Sequence, residues 1–99
     1  MIQYKQQFYK ELGTNIKRRR EALKKTQDVL ANETGTNRTT VINIERGQQQ
    51  LPVHLLVAFA TALEEEPFNL VPKMLNLEDR PAEQRNWIEA GLRTAGVQG

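Results

Sequence analysis

Two short helical stretches punctuated by one glycine limit this chain more than any other feature. Thr26 stands before Gln27-Asp28 and the apolar run Val29-Leu30-Ala31, and Gly35 closes the stretch. A threonine hydroxyl suits the first unpaired N–H groups of a helix, and an acidic residue beside it suits the positive end of the helix dipole. Gly35 supplies the left-handed backbone that ends many helices. Asn37 then caps a second stretch that runs through Val41 and Ile44 to about Glu45 and stops at Gly47. The spacing places Val29, Leu30 and Ala31 on the buried side of the first stretch, and Val41 and Ile44 on that of the second. Two helices this short are not stable alone, so the rest of the chain must supply the surface they pack on.

The remaining periodicities are helical. Phe8, Leu12, Ile16 and Leu23 predict an amphipathic helix over about 5–24, with Gly13 either tolerated inside it or marking where the helix proper begins. A polar loop, Gln48-Gln49-Gln50, leads to Pro52 and a strongly apolar helix over about 52–63. After Glu64-Glu65-Glu66-Pro67, the residues Phe68, Leu70, Val71 and Leu75 predict a short fifth helix bent by Pro72. Glu78-Asp79-Arg80-Pro81 reads as a linker to a last helix at about 82–95, where Trp87, Ile88, Leu92 and Ala95 form one apolar stripe. That stripe either folds back over the domain or pairs with a second subunit. The expected class is all-α: a five-helix domain over 1–75 and a C-terminal extension, 76–99, carrying an additional helix.

Composition removes several function classes. The 99 residues contain no cysteine and one histidine, His54, so thiolate sites are excluded and a zinc or haem site lacks ligands. No metal or cofactor is expected. No Ser/His/Asp, Cys/His or phosphate-loop constellation is present, so no enzyme is expected either. Glu64-Glu65-Glu66 reads as a solvated turn, since adjacent carboxylates point in different directions. No apolar run reaches membrane-span length and the first ten residues are too polar for a signal peptide, so a soluble cytoplasmic protein is expected. Charge is lopsided: residues 1–50 carry ten Lys/Arg against five Asp/Glu, and residues 51–99 carry four against seven. A basic half of this kind suits a polyanion.

The segment Gln27–Arg46, QDVLANETGTNRTTVINIER, is built as a helix-turn-helix, the motif spanning about 26–46. Ala31, fifth in it, lets the helices cross closely, and Gly35, ninth, makes the turn. With the flanking runs LGTNIKRRREALKKTQDVLANETG, NRTTVINIERG and LLVAFATALEEEPFNLV, the stretch Leu12–Val71 resembles the lambdoid phage repressor and Cro-like family of helix-turn-helix proteins, also called the xenobiotic-response-element type. The resemblance implies a sequence-specific regulator of transcription, a repressor, binding double-stranded DNA as a homodimer on inverted half-sites.

It also implies that helix 37–45 lies in the major groove. The positions of that helix facing outward are Arg38, Thr39, Ile42 and Asn43. Arg38 suits guanine O6 and N7, Asn43 suits adenine, and Ile42 and the Thr39 methyl suit thymine methyls. Ile42 serves equally as a core or protein-interface residue. By similarity, Gln27 holds a phosphate or supports a base contact at its helix N-terminus. Candidates for phosphate contact are Thr40, Arg46, Lys17, Lys24, Gln48 and Gln49. The resemblance further implies a structural ion pair between Arg20 and Glu45. Thr34 and Thr36 depart from the family's aliphatic residues beside the turn, and their hydroxyls predict a modest stability penalty. The competing reading is an antitoxin or adaptor whose main task is holding a protein partner such as a toxin.

Overall fold

The computed structural model describes residues 2–72, with side chains from Tyr4 onward. The chain runs through five helices: α1 (Ile2–Ala22), α2 (Gln27–Thr34), α3 (Arg38–Glu45), α4 (Val53–Ala62) and α5 (Pro67–Leu70). Among the described residues there is no strand. The last helix expected at 82–95, with Trp87, Ile88 and Leu92, and the Leu75 end of the fifth helix lie outside them.

The caps expected at both short helices form. Thr26 Oγ1 accepts from the Val29 N–H at 3.1 Å, and Asn37 Oδ1 from the Thr40 N–H at 2.8 Å. Gly35 is left-handed at φ 70°, and the next residue, Thr36, donates its N–H back to the Ala31 carbonyl at 2.9 Å. The same closure recurs after α1, where Lys25 N–H reaches Arg20, and after α4, where Glu65 N–H reaches Ala60. There the left-handed residues are Lys24 (φ 58°) and Glu64 (φ 54°), neither of them glycine.

Ile16, Leu30, Val41, Ile44, Phe59, Leu63 and Leu70 form one core to which every helix contributes. Val29 is not part of it. At 43% exposure it faces outward, because Leu30, Ala31 and Thr34 complete the buried side of a helix of only two turns. The fifth helix stops at Leu70 rather than bending further on. Val71 is extended (ψ 137°), as a residue before proline prefers. With one short turn available, only Leu70 is buried, and Phe68 stands 85% exposed.

Gly13 does not start a helix; α1 passes through it without a break. It is where α1 and α3 touch. A Cβ there would collide with the Ile44 carbonyl oxygen and lie 2.6 Å from that of Glu45. About two turns along α1, Arg20 seals the same contact. Its Nε donates to Glu45 Oε2 at 2.6 Å, its Nη2 to Oε1 at 3.1 Å, and its Nη1 to the Lys25 carbonyl at 2.9 Å. Both side chains are nearly dry, at 10% and 3% exposure. The paired carboxylate holds the Arg20 guanidinium above its ordinary pKa, mainly through the hydrogen bond, so the guanidinium keeps its charge although it is buried.

On the far side, α1 fastens the α4–α5 corner through backbone carbonyls. Arg19 donates to Leu63 (2.9 Å) and Glu64 (3.2 Å), and Asn15 to Leu70 (2.9 Å). The two threonines at the turn find partners. Thr34 Oγ1 donates to the Leu30 carbonyl at 2.8 Å and lies 2.9 Å from Thr36 Oγ1. The hydroxyl penalty expected there is offset within the turn.

Four substitutions separate these causes by urea denaturation. Gly13→Ala forces α1 off α3 and is expected to cost about 3 kcal/mol. Gly35→Ala, with nothing within 4 Å of the new methyl, meets only the backbone penalty of about 1 kcal/mol. Glu64→Gly relieves that same penalty and is expected to gain about 0.5 kcal/mol, after subtracting the extra freedom of glycine in the unfolded chain. Glu45→Gln leaves Arg20 charged in the core without its counter-ion and is expected to cost about 3 kcal/mol. Equal costs for Gly13→Ala and Gly35→Ala would show that helix contact is not what Gly13 provides.

Candidate nucleic-acid interface

With Val41, Ile44 and Glu45 committed to the core, α3 turns its other side outward. Arg38 and Thr39 are exposed, and Thr40, Ile42 and Asn43 half-buried. Positions 38, 39, 42 and 43 are spaced to share one face of a helix. Ile42 lies in the middle of this face and outside the buried core, where its apolar surface is available to a thymine methyl or to another protein.

The polar members of this face are uncommitted. Among the described residues, the side chains of Arg38, Thr39 and Asn43 make no hydrogen bond or ion pair. Several polar residues elsewhere are occupied: Lys25 holds Glu33 (2.9 Å) and the Ala62 carbonyl (2.6 Å), and Thr14 and Thr61 bond back to their own helices. Arg38 stands exposed at the N-terminal end of α3, beside the cap residue Asn37, with no guanidinium partner among the described residues. A free fork of that kind is what bidentate recognition of a guanine edge requires.

Gln27 is partly committed. It is the first residue of α2, and its Nε2 donates to Glu45 Oε1 at 3.1 Å. Glu45 thereby joins Arg20 on α1, Gln27 on α2 and its own helix α3. The second amide hydrogen and the carbonyl of Gln27 stay available, held in one orientation by the buried carboxylate. Sequence reasoning treated Gln27 as a DNA contact and Glu45 as half of an ion pair; it missed that one binds the other. The signal lay in their positions, at the start of one helix and the end of the next.

The expected phosphate-contacting residues divide into two groups. Arg46, Gln48 and Gln49 follow α3 directly, and Thr40 lies within it; Arg46 and Gln48 are exposed. Lys17 lies on α1 at the spacing of Gly13 and Arg20, along the edge of α1 that α3 crosses, Lys24 lies in the left-handed turn just after α1, and both are exposed. Two lysines that sequence reasoning passed over, Lys5 and Lys10, belong beside the first group. Lys10 continues the row of 13, 17 and 20 toward the N-terminus. Its backbone abuts the loop after α3: a Cβ at Gly47 would come within 2.5 Å of the Lys10 Cα. The signal available was the spacing of three and four residues shared by Lys10, Gly13, Lys17, Arg20 and Lys24.

No group of His, Cys, Asp or Glu among the described residues is arranged to hold a metal ion, and none of the described helices is long and apolar enough to cross a membrane.

Comparison with known proteins agrees with this geometry. The family described as helix-turn-helix matches residues 16–69, which takes in the end of α1 and all of α2, α3 and α4. Among solved structures, the restriction-modification controller protein C.AhdI from Aeromonas hydrophila is 32% identical, with 63% of this chain and 94% of that one covered at a TM-score of 0.61. Two others share the fold at lower identity. The clp gene regulator ClgR from Corynebacterium glutamicum is 19% identical over 91% of this chain and 88% of its own, TM-score 0.62. The hypothetical transcription factor NHTF from Neisseria is 23% identical over 85% and 87%, TM-score 0.63. No curated protein sequence matches the chain. The match over 16–69, on a motif whose caps, turn and crossing all form, places this chain in the xenobiotic-response-element type of the helix-turn-helix family, the DNA-binding regulators of transcription.

Proposed function

We propose that this protein is a cytoplasmic, sequence-specific repressor that binds as a two-fold dimer to inverted half-sites and reads the major groove with α3. One observation supports the reading: among the described residues, Arg38, Thr39 and Asn43 on the outer face of α3 have no side-chain partner, while the inner face is fixed by the core and by Glu45. Polar groups left free on a rigid helix cost nothing in water and are ready to exchange it for base edges. Arg38 reads guanine, Asn43 reads adenine, and Ile42 with the Thr39 methyl lies against thymine methyls. Gln27, steadied by Glu45, supports the contact from the N-terminus of α2, where backbone N–H groups also favour a phosphate. Thr40, Arg46, Gln48, Gln49, Lys17 and Lys24 set the register on the backbone and carry no sequence information.

Dimerisation follows from the size of the reading surface. Four outward residues on one short helix cover only a few base pairs, and a second copy doubles both the site and the phosphate contacts. Phe68, exposed on α5, and Val53 and Val57, one turn apart on α4, are apolar surface available to such a contact.

Selection from a random duplex library at about physiological salt, with wild type and Arg38→Ala in parallel, tests the reading. Wild type is expected to enrich an inverted repeat. Arg38→Ala is expected to lose preference at one base pair per half-site, by about 1–3 kcal/mol, with the other positions retained. Enrichment of a single half-site would remove the dimer and keep the reader. No enrichment over random duplex would overturn the reading and favour a module that binds a protein partner, for which a co-purifying toxin is the diagnostic.

A further inference from the structure

The N-terminal half of α1 lies outside the residues that match the family, yet it is folded onto the DNA-reading end of the molecule. Phe8 and Tyr9 pack against the core, with their rings 5.2 Å apart edge to face, and so hold this half of the helix in place. Between it and the loop after α3 runs an open groove of 510 Å³. Three cations line it, Lys5, Lys10 and Arg46, together with glutamine side chains from both walls, and no carboxylate does.

Three features of this groove point to an anion. First, the cations are uncommitted: among the described residues Lys5, Lys10 and Arg46 form no ion pair, whereas Arg19, Arg20 and Lys25 all do. Second, the backbone N–H groups of Gln49 and Gln50 have no acceptor among the described residues, although Gly47 and Gln48 donate back to α3. Third, the two walls are fixed to each other, since Gly47 approaches Lys10 too closely for any larger residue. Like charges held together by a rigid wall repel one another and are stabilised by a bound anion.

We propose that this groove seats a phosphate of the DNA backbone next to the segment read by α3, with Lys5 and Lys10 as its ligands. The groove is open along its length, which suits a continuous backbone better than an enclosed small molecule. It also begins at Arg46, the residue that follows α3. The contact rests on the DNA-reading function proposed above and extends the footprint through a part of α1 that the family match does not include.

The test is Lys5→Gln/Lys10→Gln, titrated against the selected duplex and a scrambled duplex over about 50–200 mM salt. Both lysines are exposed, so the thermal midpoint should not move. The plot of log K against log salt is expected to be shallower by about 2, at roughly 0.9 per lysine. Affinity for both duplexes should fall by the same factor and the base preference should persist. Wild-type slope and affinity in the variant, with wild type still selecting its sequence, would overturn the groove contact and leave the reader intact. A loss confined to the selected duplex would overturn it as well, because that is the mark of base reading. If wild type binds no duplex, both proposals fall. Inorganic phosphate shifting the Lys10 and Gln49 amide resonances, with the DNA slope unchanged in the variant, would assign the groove to a free anion instead.

Discussion

The contact between α1 and α3 sets the position of everything else on the reading surface. A helix of eight residues has little stability of its own, and α3 has no basic residue in its last turn to favour its negative end. It is held from outside. Gly13 lets α1 approach until only backbone separates the two helices, and Arg20 fixes the last residue of α3, Glu45, through two charge-assisted hydrogen bonds. A buried ion pair adds little net stability against an apolar pair of the same shape, because both charges lose their water. What it adds is geometry. A forked pair has one good arrangement, so α3 cannot slide or roll on the core without breaking it. The further bond from Gln27 extends that constraint to the start of α2.

This constraint divides the polar side chains into two populations. One is consumed by the fold: Asn15, Arg19, Arg20, Lys25, Thr34 and Glu45 satisfy one another or the carbonyls at helix ends. Others make no side-chain bond among the described residues, and a basic and polar group of these lies in α3, in the loop after it and along one edge of α1. The first population contains half of the dense basic run Lys17–Arg20. Arg19 and Arg20 are internal fasteners, and only their neighbours remain for a polyanion. Local charge density in the sequence therefore overstates what that run offers to DNA and understates Lys5 and Lys10, which stand apart in the chain but meet the loop after α3 in space.

How legible these features were depended on how local their cause was. The caps Thr26 and Asn37 and the turn at Gly35 act within four residues, and the sequence reading placed them correctly. The buried sides of α1 and α3 followed from helical periodicity. Readings failed where a contact distant in the chain decided. Gly13 looked like a tolerated defect, because its reason is a carbonyl thirty-one positions away at Ile44. Val29 looked buried by its apolar character, but Leu30, Ala31 and Thr34 leave it no room on the inner side. Phe68 was lost for a related reason: the extended residue before Pro72 ended α5 before a second turn could cover that ring.

The same distinction bears on how such a small domain can read DNA at all. Bidentate base contacts require side chains placed to within a fraction of an ångström, and α3 has no loop or second layer of its own to supply that precision. Its rigidity comes from contacts made behind the outer face. Gly13 sets the distance between α1 and α3, Arg20 and Glu45 set rotation, and Gln27 couples α2 to both. The backbone beneath Arg38 is fixed at both ends of α3, by the Asn37 cap at the start and by Glu45 at the close, which is the rigidity the proposed base contact requires. A substitution at any of those four positions therefore acts on where the outer face of α3 stands as well as on stability.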